Sequence, residues 1–277
     1  MRIDVDGREA YAYTGGRPFD PARPVVAFVH GAAQDHSVWI LQTRWLAHHG
    51  FSVLALDLPG HGRSAAPALA DVPAMGGWVL RALAAAGASR AAIVGHSMGA
   101  LIALEAAGQA PERVSGVALV GVAFPMTVSP ALHAAARDDE PAAFDMVNRF
   151  SHGLLVHRPG TPGPGFSVYV QNLRLMERQP AGTLARDFVA CDGYDAGLDR
   201  ARGLRCPALF VLGARDQMTP PRAARELVAA VPGAKVVDVP ASGHNLQVEA
   251  PEVLRDALAA WLRGPVADAA RATAAAP

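Results

Sequence analysis

Six short apolar runs, each leading toward a helical stretch, constrain this fold more than any other feature of the chain. They are VVAFVHG (25–31), SVLALDL (52–58), AAIVGHS (91–97), VSGVALVG (114–121), PALFVLG (207–213) and KVVDVP (235–240). Runs that are apolar throughout, instead of alternating, belong to strands covered on both faces, which is the situation of a parallel sheet between layers of helices. Helical segments are expected at about 37–49, 72–86, 98–109, 221–231 and 251–263. In the third of these, Leu101, Leu104 and Ala107 recur at the spacing that puts one apolar stripe against a sheet. Residues 1–15 read as an edge hairpin, with Ile3 and Val5 alternating, Asp6-Gly7 as the turn, and Tyr11 and Tyr13 on the return. The expected class is therefore α/β, a mostly parallel β-sheet flanked by helices.

The rhythm breaks between Val122 and Gly203, where helical pieces (130–137, 140–150, 167–178, 181–190) occur without a convincing strand, divided by a Pro/Gly-rich loop at 157–165. Such an insertion between two sheet strands reads as a helical cap. The chain thus divides into a core of 1–121 and 204–263, a cap of 122–203, and a frayed tail of 264–277 that has no apolar period.

Composition narrows the partners. With 277 residues, 51% of them hydrophobic and 18% charged, a sizeable core is available. Lys+Arg and Asp+Glu are both 25, and this balance argues against nucleic acid or an anionic membrane surface as partner, since each requires concentrated positive charge. The two cysteines, Cys191 and Cys206, make no disulfide framework and no zinc-ligand spacing. No leader-like or membrane-spanning run stands out, so a cytoplasmic protein is expected. Neither a metal nor a cofactor is implied, because no HExxH pattern and no phosphate-loop glycine order is present. Nothing in the sequence bears on oligomeric state.

The chemistry concentrates in GHSMG (95–99), a G-x-S-x-G motif that follows an apolar strand run and opens a helix. In that context Ser97 stands on a sharp turn, exposed above the strand ends, with the helix N-terminus aimed at any oxyanion formed there. A serine hydroxyl needs a base to take its proton. His244, in SGHNLQ, follows the last strand run, and its position at a strand C-terminal end puts it on the rim that carries Ser97. Asp216, in GARDQM, follows the preceding strand and can fix the imidazole tautomer. The order Ser, Asp, His is that of a nucleophile-elbow hydrolase. The small-residue loop HGAAQDHSVW (30–39) can supply a backbone N–H to the oxyanion: Ala32 is the candidate, paired with Met98, and Ala33 is its rival.

With these motifs in hand, the chain resembles the α/β-hydrolases: HG after the third strand, DLPGHGRS (57–64) after the fourth, GHSMG at the elbow, then GARD and SGH. The resemblance implies a serine hydrolase acting through an acyl-enzyme, with a carboxylic ester of a small to medium, largely apolar molecule as first choice of substrate. It makes His61 structural. Relatives that process alkyl halides or epoxides carry aspartate at the position of Ser97. Those that cut C–C bonds of ring-cleavage diketones often carry Asn before the serine and Trp after the histidine, where this chain has His96 and Asn245. C–C hydrolysis, perhydrolysis and a small-molecule receptor remain the alternatives that the resemblance leaves. Phe124, Met126, Phe144 and Met146 are the candidate pocket residues, with Met176 and Phe188 also apolar in the cap.

Overall fold

A computed structural model describes residues 1–153, 167–231 and 233–274. The hairpin forms as expected: β1 (Arg2–Val5) pairs antiparallel with β2 (Arg8–Tyr13). Asp6 and Gly7 both have positive φ (57° and 76°), the backbone that a two-residue hairpin turn requires. The apolar runs become β3 (Val25–Val29), β4 (Ser52–Leu56), β5 (Ala91–His96), β6 (Val114–Val120), β7 (Ala208–Gly213) and β8 (Lys235–Val239). The eight strands lie in the order β1-β2-β4-β3-β5-β6-β7-β8, parallel from β4 onward. The chain runs outward one way from β3 to β4 and the other way from β5 to β8, so the loops after β3 and β5 diverge at the switch point. Ligand crevices in open α/β sheets form at such a point. At the far edge, β8 exposes Lys235 and Asp238, charges that discourage edge-to-edge pairing.

Helices cover both faces. On one side, α2 (Val72–Ala85) and α3 (Met98–Gln109) bury Met75, Val79, Leu83, Leu101 and Leu104 against the sheet. Asp71 caps α2 by accepting from Ala74 N–H at 2.7 Å, with a proline in the helix's first turn, where no intrahelical partner is lost. On the other side, α1 (Ile40–His48) and α11 (Pro251–Trp261), with α10 (Leu246–Glu249) between β8 and α11, pack Leu46, Leu254, Leu258 and Trp261.

Between β6 and β7 lie α4 (Pro130–Asp138), α5 (Glu140–Ser151), α6 (Val168–Glu177), α7 (Thr183–Asp192) and α8 (Gly197–Arg202). The loop expected at 157–165 lies outside the described residues. The last part of the insertion packs with the main core. Tyr194 and Ala201 belong to its apolar cluster, and Arg200 of α8 reaches the buried Glu105 of α3 with two hydrogen bonds of 2.9 Å. Tyr194 Oη donates to the same carboxylate at 2.8 Å. Burial alone would raise the Glu105 pKa, but these donors outweigh it and hold the carboxyl below the usual range. Tyr194→Phe, which leaves a buried carboxylate oxygen one donor short, should lower urea-unfolding stability at pH 7 by about 1.5–3 kcal/mol. An unchanged midpoint would mean that Arg200 and Gln109 satisfy Glu105 without the tyrosine.

Two elements differ from the sequence expectation. The helix expected at 221–231 divides into a 3-10 turn (Pro221–Ala224) and α9 (Arg225–Ala230), because Pro220-Pro221 fixes the entry. The expected frayed tail from 264 is helical to Ala274. The chain leaves α11 through a π-helical turn (Leu262–Val266) that accommodates Pro265, and continues into α12 (Ala267–Ala274). Leu262 and Val266 are buried beside Trp261, and alanine supplies the helix propensity that an apolar-period reading overlooks.

Candidate active site

Ser97 sits at the junction of β5 and α3 with φ 53° and ψ −119°, a strained conformation for a residue with a side chain. The flanking glycines are steric requirements. A Cβ on Gly95 would lie 1.9 Å from the Gly99 carbonyl oxygen, and one on Gly99 would lie 2.4 Å from that of Val29. The tight packing of elbow, helix and β3 holds the strain in place.

On the same rim, the Asp216 carboxylate is fully engaged. Oδ1 accepts from Met218 N–H (2.8 Å) and Thr219 N–H (2.7 Å), and Oδ2 accepts from the Thr219 hydroxyl (2.7 Å). His244 Nδ1 lies 2.8 Å from Asp216 Oδ2 and 3.0 Å from Thr219 Oγ1. Burial pushes the Asp216 pKa up, but the His244 ring and the Thr219 donors more than offset it, and the carboxyl is held below its ordinary range. Facing a carboxylate acceptor, Nδ1 carries the imidazole proton and Nε2 is left as the proton acceptor.

The main chain of His244 is also fixed. Its N–H donates to the Ser151 carbonyl of α5 at 2.7 Å, and its carbonyl accepts from His96 Nε2 at 2.9 Å. Burial, then the neighbouring His244, depress the His96 pKa to about 3, so this ring is a neutral hydrogen-bond donor. In the sequence, His96 stands out only as a departure from a relative's pattern. Thr219 is a site residue that the sequence reading misses; its one local signal is a hydroxyl three residues after Asp216, carried toward the carboxylate by the Asx-type turn that Asp216 makes with the Met218 and Thr219 N–H groups.

Ser97, His244 and Ala32 line one cavity of about 30 Å³. Its apolar wall is Val147, Met176, Leu184, Phe188 and Met218, and its polar wall includes Gln34, Ser151, Asn172 and Asn245. None of the four residues expected as pocket lining reaches it. Phe124 and Met126 belong to the main core, with Phe124 edge-on to Tyr194 at 6.1 Å between ring centres. Phe144 joins the insertion's own apolar cluster, and Met146 packs against that cluster. Val147 and Ser151, one turn apart toward the C-terminal end of α5, face the cavity; Phe144 shares their stripe but lies about two turns before Ser151, and Met146 points off that stripe. A larger cleft of about 220 Å³, lined by Thr14, Arg17 and Ser52 among others, lies at the opposite strand ends and has no histidine among the described residues that line it.

The sequence matches the alpha/beta hydrolase family over residues 26–257. The chain belongs to that family. This α/β-hydrolase is 30% identical to the protein named "Putative carbamate hydrolase RutD" of Klebsiella pneumoniae, an alignment covering 87% of this chain and 94% of that one. It is also 30% identical to a pimeloyl-[acyl-carrier protein] methyl ester esterase of Chromobacterium violaceum, over 80% of this chain and 87% of the relative. Among solved structures it superposes on the enol-lactonase of Burkholderia xenovorans with a TM-score of 0.83 and 26% identity, covering 95% of this chain and all of the other.

In this α/β-hydrolase the DLPGHGRS turn is a hydrogen-bond hub. Asp57 Oδ1 accepts from His36 N–H (2.7 Å) and lies 2.8 Å from His36 Nδ1, while Oδ2 accepts from Arg63 N–H (2.9 Å). Asp35, His36 and Asp57 lie close enough together to share an ion, yet the oxygens of both carboxylates already take protein donors, Arg178 and Ser37 N–H in the case of Asp35. His61 Nε2 lies 2.9 Å from Asp187 Oδ2 of α7. Burial disfavours the charged imidazole, but the Asp187 charge and hydrogen bond overcome that penalty, and the His61 pKa is raised. Asp187 Oδ2 also accepts from Ala33 N–H at 2.8 Å, which withdraws Ala33 from any role toward an oxyanion in the cavity. No described helix is long and apolar enough to cross a membrane.

Proposed function

We propose that this α/β-hydrolase cleaves a carboxylic ester or lactone of a small, uncharged substrate through an acyl-enzyme on Ser97. The observation that carries the reading is the Asp216–His244 pair at 2.8 Å, its imidazole facing the same cavity as a strained elbow serine. His244 Nε2 takes the Ser97 hydroxyl proton as Oγ attacks the carbonyl carbon. The N–H groups of Ala32 and Met98 hold the resulting oxyanion, each such donor contributing about 2.7–4 kcal/mol. His244 then protonates the departing alcohol oxygen. Water, deprotonated by the same nitrogen, attacks the acyl-enzyme and releases the acid, restoring the serine. Asp216 holds the ring and stabilises the imidazolium.

The insertion acts as a cap: α5, α6 and α7 supply Val147, Met176, Leu184 and Phe188 to the cavity wall. Among the described residues the lining has no Lys, Arg, Asp or Glu, which favours uncharged acyl groups, and the small volume favours short ones. The methyl ester esterase and enol-lactonase among its relatives accord with this bond class.

A fluorophosphonate probe followed by peptide mass spectrometry should place a single adduct on Ser97. On p-nitrophenyl esters from acetate to octanoate, kcat/KM should peak at acetate to butyrate. Absence of an adduct on folded protein would refute the nucleophile, and a steady rise to octanoate would refute the short-acyl assignment.

A further inference from the structure

Asp187 lies on α7, in the insertion, 154 positions along the chain from the loop it touches. Its side chain is almost wholly buried, and it does two things at once. Oδ2 accepts Ala33 N–H at 2.8 Å and pairs with His61 Nε2 at 2.9 Å, while Oδ1 has no partner among the described residues. Ala33 has φ 50°, a left-handed conformation that a non-glycine residue adopts only when its surroundings enforce it. Ala32, immediately before it, lines the cavity with Ser97.

Other contacts tie the same loop to the insertion. Gln34 donates to Asn172 of α6 at 3.3 Å, and Arg178 reaches Asp35 at 2.7 Å. Among the described residues, only the Asp187 contact grips the backbone at the strained residue. An oxyanion donor is useful only where its N–H is fixed before charge develops, since reorienting it during the reaction forfeits its advantage.

We propose that Asp187 is a positioning residue for the oxyanion site: by holding Ala33 N–H, it locks the loop so that Ala32 N–H faces the reacting carbonyl. This rests on the serine-hydrolase reading above. The cap thereby completes the catalytic machinery as well as walling the cavity, and the His61–Asp187 pair is what keeps the carboxylate in place away from water.

The test separates positioning from mere stability. The double variant His61→Leu/Asp187→Leu replaces a buried ion pair by two apolar groups, leaving no uncompensated charge, while removing the acceptor for Ala33. Asp187→Asn keeps a carbonyl oxygen that can still accept. Wild type and both variants are assayed for p-nitrophenyl acetate hydrolysis, for inhibition by a short-chain alkyl trifluoromethyl ketone, whose serine adduct carries an oxyanion, and for thermal unfolding.

The double variant should lose about 10- to 100-fold in kcat with KM within about twofold, a fraction of a whole donor's contribution. Its inhibitor affinity should fall by the same factor, and Asp187→Asn should recover most of both. Wild-type kcat in the folded double variant would overturn the proposal. So would a loss expressed in KM, or inhibitor affinity unmoved while kcat falls. If the double variant fails to fold, Asp187→Asn decides: a kcat loss above about tenfold, or any loss not matched by the ketone, overturns the assignment. Failure of the wild type to label at Ser97 would instead sink the hydrolase reading on which it stands.

Discussion

Ser97→Ala should lower kcat/KM for p-nitrophenyl acetate by about 10⁴- to 10⁶-fold, the range that follows when one member of a cooperating nucleophile–base unit is removed. The residual rate would come from binding and the oxyanion donors. The same position makes a second, opposite prediction about stability. Ser97 holds φ 53° and ψ −119° between glycines that admit no Cβ, and such strain costs on the order of 1–3 kcal/mol. Alanine keeps the Cβ and therefore the strain, so Ser97→Ala should melt close to wild type. Ser97→Gly removes the Cβ and should melt higher, gaining about 1 kcal/mol after the extra backbone entropy of glycine in the unfolded chain is counted. Kinetics and calorimetry on the two variants check both halves. If the alanine variant hydrolyses esters at more than about 1% of the wild-type rate, another nucleophile operates. If glycine lowers the melting temperature, the elbow is not storing strain.

Acid should weaken the fold well above the range where carboxylates titrate. Burial, first, and the charge of a neighbouring histidine, second, depress His30 to about 4 and His96 to about 3. In the unfolded chain both return to about 6.5. Between pH 6.5 and 4.5 the unfolded state therefore binds up to two more protons than the folded state, and stability falls as pH falls. Summed over that interval, the two rings account for about 4 kcal/mol, a large part of a typical domain's 5–15 kcal/mol. His61 works in the opposite direction. Its raised pKa contributes stability that is present below pH 6.5 and is lost as pH rises through the folded value, so it does not soften the acid limb appreciably. Asp216, held below the ordinary carboxylate range, adds its own loss only at lower pH, below about 3.8. Urea midpoints at pH 6.5, 5.5 and 4.5 measure the slope, and His96→Asn should flatten it by about half. A midpoint constant over that interval would show that neither ring is held neutral by the fold.

The sheet is legible in the sequence because its strands announce themselves. Val25–Val29 and Ser52–Leu56 are buried at every position, and a short apolar run without alternation suits little besides a strand covered on both faces. Ser97, Asp216 and His244 are legible for a related reason, since each follows a strand run and strand polarity assigns them to one rim. What a linear reading does not contain is where the inserted helices sit over the rim. Phe144 and Val147 look interchangeable as apolar residues on one face of an amphipathic segment, yet one turn along the helix axis decides which meets the cavity. Asp187 is equally hidden. An acid inside a polar-looking helix reads as solvated, and only the fold brings His61 and Ala33 against it. The tail departs from expectation differently, because Ala267–Ala274 is helical by intrinsic propensity, with little apolar pattern to report it.

The bond from His244 N–H to the Ser151 carbonyl has a consequence for how this protein can be diversified. A main-chain oxygen is offered by every amino acid, whereas Ser151 as a residue also lines the cavity. Position 151 therefore separates two duties: backbone support for the imidazole is indifferent to residue identity, and pocket shape is not. Saturation libraries built there should remodel the cavity while leaving the hydrogen bond that fixes the His244 main chain in place.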